Sequence, residues 1–189
     1  MRGVSRLLFV ALVFVPCAVS AQGGNPIGPE FRVNTYTTDS QYRPALAADL
    51  TGSFVVVWQS LFQDGSDWGI FGQRYDSTGA PLGPEFRVNT HMAGSQYQPA
   101  VASDSSGNFV VVWADGFQDG SINGVFGQRY ESSGAPLGPE FRVNTYTTLP
   151  QYFPAVASDS SGNFVVVWHS NNQDGSSRCV IGQRYSRTG

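Results

Sequence analysis

Gly28-Pro29-Glu30-Phe31-Arg32-Val33-Asn34-Thr35 stands again at Gly83 to Thr90 and a third time at Gly138 to Thr145, a spacing of 55 residues each time. The same spacing carries Phe54-Val55-Val56-Val57-Trp58 onto Phe109 to Trp113 and Phe164 to Trp168. It also carries Gln63-Asp64-Gly65-Ser66 onto segments beginning at Gln118 and Gln173, and Gly72-Gln73-Arg74-Tyr75 onto those beginning at Gly127 and Gly182. A fixed period of this length marks a repeat architecture. The repeats are residues 28–82, 83–137 and 138–189, and the third is truncated before the Ala-Pro-Leu that closes the others. Copies this alike read as recent duplications, so a residue shared by all three says little about function.

Each repeat holds four candidate strands separated by turn residues. Glu30 to Thr35 alternates, with Phe31 and Val33 on one face, as an outer strand with one wet face does. Pro44 to Ala48 is built from small residues. Phe54 to Trp58 is a continuous apolar run, which predicts an interior strand buried on both faces. Ile70 to Tyr75 again mixes apolar and polar positions, and Asp76 to Gly79 turns the chain into the next repeat. Asp104-Ser105-Ser106-Gly107-Asn108 reads as a hairpin turn in which glycine supplies a positive φ. With 22 Gly and 11 Pro in 189 residues, the composition fits short strands and tight turns rather than a helical bundle.

Residues 1–21 place Arg2 and Arg6 ahead of an apolar run from Leu7 to Val15, followed by Pro16 and the small-residue ending Val19-Ser20-Ala21. This predicts a secretory signal peptide, a linker at 22–27 and a secreted chain, extracellular or periplasmic. Cys17 leaves with that peptide, so Cys179 has no internal disulfide partner. Every basic residue is arginine, and without Arg2 and Arg6 nine of them face 14 acids, so no clustered basic face for nucleic acid is expected. No later stretch is long and apolar enough to insert stably in a membrane.

Four strands per repeat, with one buried on both faces, is what a propeller blade requires. The expected fold is all-β: three four-stranded, blade-like repeats forming a partial or oligomer-completed β-propeller, with a β-trefoil as the alternative. Three blades do not close a ring, since rings use about four to eight. The leading Glu30-to-Thr35 strand could complete the last blade, and in a homodimer that strand exchange would give six blades. The order Pro99, Asp104 to Gly107, Phe109 to Trp113, Val125 to Tyr130 resembles TolB-type propeller repeats. The whole unit, from Gln96-x-x-Pro99 through the Gln-Asp-Gly-Ser and Gly-Gln-Arg-Tyr segments, is similar to tandem repeats of large secreted bacterial proteins, often found beside RTX-type calcium-binding modules. That resemblance covers residues 28–189 and implies no particular activity.

Catalysis needs unlike groups converging at one place, usually outside a repeat's consensus. The sequence offers no such constellation: His91 and His169 occupy unrelated repeat positions, and no nucleophile, zinc or phosphate-loop motif occurs. No catalytic residue is therefore expected. Calcium is the one cofactor the sequence allows, at Asp64, Asp67, Asp119 and Asp174 in the Gln-Asp-Gly-Ser loops, although Ile122 and Ser177 replace Asp67 in the other repeats. Asp49, Asp104 and Asp159 read as turn formers. For a ligand, the candidates are Trp68, which Asn123 and Arg178 replace, and the polar row Gln73, Arg74, Gln128, Arg129, Gln183 and Arg184. Trp58, Trp113 and Trp168 read as core. The expected function is extracellular binding or scaffolding toward a protein or glycan. The alternatives are an exported hydrolase whose site forms on ring closure and a fragment of a larger calcium-binding repeat protein.

Overall fold

The computed structural model describes residues 24–188, so the expected signal peptide at 1–21 and the first residues of the expected linker lie outside the described residues. Residues 24–31 form no strand or helix and are exposed. The rest is all-β, and no helix among the described residues is long and apolar enough to cross a membrane. Three antiparallel sheets follow one another. The first is β1 (Gln41–Ala48), β2 (Phe54–Leu61), β3 (Trp68–Tyr75) and β4 (Phe86–Arg87); the second is β5 (Gln96–Ser103), β6 (Phe109–Asp115), β7 (Gly124–Tyr130) and β8 (Phe141–Arg142). The third has β9 (Gln151–Ser158), β10 (Phe164–Asn171) and β11 (Arg178–Tyr185). None closes into a barrel, which a trefoil would need, and a blade-like arrangement fits.

The turns form as their residues dictate. Asp104 Oδ1 accepts the Ser106 and Asn108 N–H groups, and Gly107 sits at φ 82°, so the side chain replaces backbone acceptors while glycine takes the left-handed corner. Asp49 and Asp159 do the same at their own turns, and the side-chain bonds from the Thr51 hydroxyl and the Asn163 amide, with these backbone bonds, hold both carboxyls below the usual range.

The outer strand of the first and of the second sheet, β4 and β8, belongs to the following repeat, so sheet and sequence repeat are out of phase. The expected strand at Glu30 to Thr35 shrinks to two paired residues in its later copies, and the first copy forms no strand. The reason is the asparagine. After Phe86 and Arg87, the Val88 N–H donates to Ile70 O at 2.7 Å, and then the Asn89 side chain, not its backbone, accepts the Ile70 N–H at 2.7 Å. Asn144 treats Val125 identically. A carboxamide thus ends the ladder without leaving a buried donor unpaired. Gly72 makes the outer strand's approach feasible, because a Cβ there would lie 2.9 Å from the Phe86 ring, and Gly127 faces Phe141 in the same way.

The sheets pack face to face, with β1 against β5 and β5 against β9, the small-residue strands adjacent. Val55, Val57 and Ile70 of the first sheet pack on Phe109, Val111 and Trp113 of the second. Val110, Val112 and Val125 on its opposite face pack on Phe164, Val166 and Trp168 of the third. The middle strand β6 is therefore buried on both faces, as its unbroken apolar run predicts, whereas β10 alternates because only one of its faces is covered. A carboxylate reinforces each junction. Glu140 accepts the Gln118 amide at 2.6 Å, the Thr90 N–H at 2.7 Å and the Thr90 hydroxyl at 2.9 Å, and Glu85 binds Gln63 and Thr35 in the same way.

Candidate binding site

The polar row that the repeats share is largely structural. Gln73 and Gln128 are buried and donate to Gly83 O and Gly138 O, anchoring the turn before the outer strand. Arg129 donates to Arg187 O at 2.7 Å, and Arg74 reaches both Ser132 O of the next repeat and Leu82 O. Burial pushes the Arg74 pKa down, the expected effect of moving a guanidinium out of water. These arginines line open grooves between successive sheets, one of about 560 Å³ beside Asp104 and Asn108 and one of about 260 Å³ beside Asp49 and Ser53. Gln183 and Arg184 are exposed on the third sheet, whose groove has only one wall.

The Gln-Asp-Gly-Ser aspartates are also engaged locally. Asp64, Asp119 and Asp174 each accept the N–H two residues on, at 3.0–3.1 Å, and Asp67 accepts the Ser95 hydroxyl at 2.5 Å. No group of three or more His, Cys, Asp or Glu side chains suited to a metal ion occurs among the described residues. Trp58, Trp113 and Trp168 are buried, as expected. Cys179 is half-buried and unpaired, its thiol directed at Ser170 O.

A different set of residues gathers at the end of the sheets where β1, β5 and β9 begin. Each of these strands is bulged beside its proline, and the residue before that proline is left-handed: Arg43 at φ 54°, Gln98 at 58° and Phe153 at 52°. Proline has no N–H to lose from the ladder, so it suits a bulge. A non-glycine residue in the left-handed region costs on the order of 1–2 kcal/mol, so the surroundings must hold it there. Two of the three bulges are held by carboxamides from the preceding sheet. Gln98 N–H donates to Gln59 Oε1 at 3.1 Å, and Phe153 N–H donates to Gln98 Oε1 at 2.8 Å.

Around this line stand the positions at which the repeats differ. Trp68 packs on exposed Tyr42 with ring centroids 5.6 Å apart, while in the second repeat Asn123 takes the Trp68 position and meets the Tyr97 hydroxyl. Burial, with Tyr152 and Asp115 nearby, pushes the Tyr97 hydroxyl up to about 12, so it stays protonated and donates. Phe153 lies edge-on to His169 at 5.6 Å, and the Phe62 and Phe117 rings are exposed in loops at the same end. Asp115, where the other repeats have Ser60 and Ser170, is fully buried, 3.3 Å from His91 Nδ1.

The arrangement provides flat rings beside a guanidinium and carboxamides, the chemistry that stacks on a sugar face and bonds its hydroxyls. It includes Trp68, which the sequence singles out, but omits the shared glutamines and arginines. Arg43, Gln98 and Phe153 carried one signal in sequence: three unlike residues at one position of an otherwise uniform Gln-x-x-Pro motif.

No protein-family model and no curated protein matches this chain. Among solved structures, it is similar to an endo-arabinase from Bacteroides thetaiotaomicron, with a TM-score of 0.50 and 13% identity over 77% of this chain and 56% of that one. An endo-1,4-beta-xylanase from the same organism gives 0.48 and 11%, over 84% of this chain and 58% of that one. A fucose lectin from Kordia zhangzhouensis, in complex with methyl-fucoside, gives 0.41 and 15%, over 74% and 97%. The chain thus spans a little over half the length of the two enzymes. At these identities the likeness is one of fold.

Proposed function

We propose that this chain is a secreted, non-enzymatic recognition module whose sheets are blades of a β-propeller, and that it binds carbohydrate at the end carrying Arg43, Gln98 and Phe153. The observation that carries the reading is the gathering of repeat-breaking residues around three strained bulges with exposed rings. Non-glycine residues held left-handed cluster where function needs them. Carbohydrate is also the substrate class of the endo-arabinase with which this chain shares a fold. Retaining or inverting glycoside hydrolysis needs two carboxyl groups facing one substrate; at this end Asp115 is buried and the exposed Asp67 accepts the Ser95 hydroxyl, so the recognition reading is preferred.

The test is binding of the purified protein to a glycan array, followed by calorimetry on the best ligand with the wild type, Phe153→Ala and Trp68→Ala. Loss of affinity by about tenfold or more in either variant, with unchanged folding, is the expected result. Glycan binding indifferent to both substitutions, no glycan binding at all, or turnover of a glycoside panel would overturn the reading.

A further inference from the structure

Gln98 and Phe153 each stand immediately before a proline, Pro99 and Pro154. A proline ring drives the residue before it to extended backbone with negative φ, so the values of 58° and 52° are held against the neighbour as well as against the chirality of the residue itself. The hold is visible at each position, and it comes from the sheet before. The Gln98 N–H in β5 donates to Gln59 Oε1 of β2 at 3.1 Å, and the Phe153 N–H in β9 donates to Gln98 Oε1 at 2.8 Å. Gln98 belongs to both bonds. Its backbone is fixed by the first sheet, and its side chain fixes the third. Side chains of extended residues alternate between the faces of a strand, so where the Gln98 carboxamide points follows from its left-handed backbone, and that backbone follows from Gln59.

The sequence accounts for the second link. Ala114 takes the Gln59 position in the second repeat and has no side-chain acceptor, so the bulge of the third sheet is not held as that of the second is. Gln98, where the other repeats carry Arg43 and Phe153, supplies the missing oxygen from the bulge itself. We infer that Gln59 and Gln98 are positioning residues acting in series, so that a carboxamide buried in the first sheet sets where the Phe153 ring stands in the third. The inference rests on the proposed recognition of carbohydrate at this end, to which Phe153 contributes a ring. Gln59 touches no sugar and acts through Gln98 alone. Without the Gln59 oxygen, Gln98 relaxes toward the extended backbone that its proline favours, and its own oxygen leaves the Phe153 N–H. The Phe153 ring then moves off His169, to which it lies edge-on at 5.6 Å.

The test follows the Phe153 amide by hydrogen exchange and the His169 ring protons by nuclear magnetic resonance, and measures affinity for the tightest-binding array glycan by calorimetry. The chains compared are the wild type, Gln59→Ala, Gln98→Met, the double variant and Gln59→Glu. Gln59→Ala introduces the residue that the second repeat carries at this position. It should speed exchange at Gln98 and Phe153 about tenfold, shift the His169 resonances and weaken glycan binding about fivefold. Gln98→Met lacks the acceptor but keeps the length, so it should speed exchange at Phe153 but not at residue 98, and weaken binding as much. The double variant should bind no more weakly than Gln98→Met, as two links of one series do. Gln59→Glu keeps an acceptor oxygen and should restore exchange and affinity, a recovery that lost packing would not give. A Phe153 amide indifferent to Gln59→Ala, faster exchange with undiminished affinity, or losses that multiply in the double variant would overturn the inference. If no glycan binds the wild type, the recognition reading fails, and exchange and ring shifts still decide whether Gln59 places Phe153.

Discussion

The Tyr130 hydroxyl donates to the Val88 carbonyl, 42 residues earlier, at 3.1 Å. Tyr75 meets Val33 and Tyr185 meets Val143 at the same separation. The bond joins the third strand of one sheet to the outer-strand segment of the preceding sheet, so it holds neighbouring sheets together rather than one sheet internally. Tyr130 also stacks on Phe109 with ring centroids 4.8 Å apart. Burial, with Glu140 nearby, raises its pKa, keeping it a donor at any ordinary pH.

Tyr130→Phe keeps the stacked ring and removes only the hydroxyl, leaving the Val88 carbonyl without its donor. Urea unfolding should show a loss of about 1–2 kcal/mol, with the m-value unchanged. Tyr185→Phe, in a sheet covered on one side only, should cost less because water reaches its site. Equal losses in the two variants would show that the bond contributes nothing specific to the sheet junction.

Gly127→Ala and Gly182→Ala make the same chemical change at the same repeat position. At Gly127 the new methyl would lie 2.8 Å from the Phe141 ring, so the outer strand must move, at a cost of about 1–3 kcal/mol. At Gly182 the nearest atom is a Val167 methyl at 3.3 Å that can yield. Thermal unfolding of the two variants should differ by several degrees, and a similar melting temperature for both would show that the phenylalanine does not need the glycine.

Asp115 gives the stability a pH dependence. Burial pushes its carboxyl up to about 6, against the opposing pull of His91, from about 3.9 in the unfolded chain. Between these values the folded state holds more protons than the unfolded state, so stability should fall as the pH rises from about 4 to 6 and lose nothing more from this group above that range. Asp115→Ser, the residue of the other two repeats, removes the buried charge. It should raise stability at pH 7 by about 1–2 kcal/mol and make no difference below pH 4. Denaturation curves at pH 4 and pH 7 decide the sign, and a variant less stable than the wild type at pH 7 would mean that the His91 contact outweighs the burial cost.

The scaffold was legible because repetition repeats its own physics. The apolar run Phe109 to Trp113, the Asp104-to-Asn108 turn and the buried tryptophans stand where their residue types place them. The borrowed outer strand was not, since alternation in Glu30 to Thr35 says nothing of which sheet it joins, and Asn89 ends the ladder through a side-chain bond that no periodicity reveals. The shared Gln-Arg pairs attract attention as polar groups beside aromatics, yet Gln73 and Arg129 spend their donors on backbone carbonyls. A repeated polar residue answers a repeated structural need. The bulges, by contrast, needed register: only pairing shows that Tyr42 and Ala45 shift against β2 and leave Arg43 left-handed between them.

That strain yields the sharpest separation of stability from binding. Arg43 is exposed at φ 54°, and its side chain has no hydrogen bond among the described residues, so their fold gains nothing evident from an arginine there. Arg43→Gly removes the left-handed penalty and loosens the unfolded chain in partial compensation, for a net gain of up to about 1 kcal/mol. If the bulge is held for recognition, the same variant should bind glycan about tenfold more weakly, because it loses a planar, charged donor beside the rings. Paired urea titration and calorimetry measure both quantities. A variant that is both less stable and equally competent in binding would place the value of Arg43 in the fold instead.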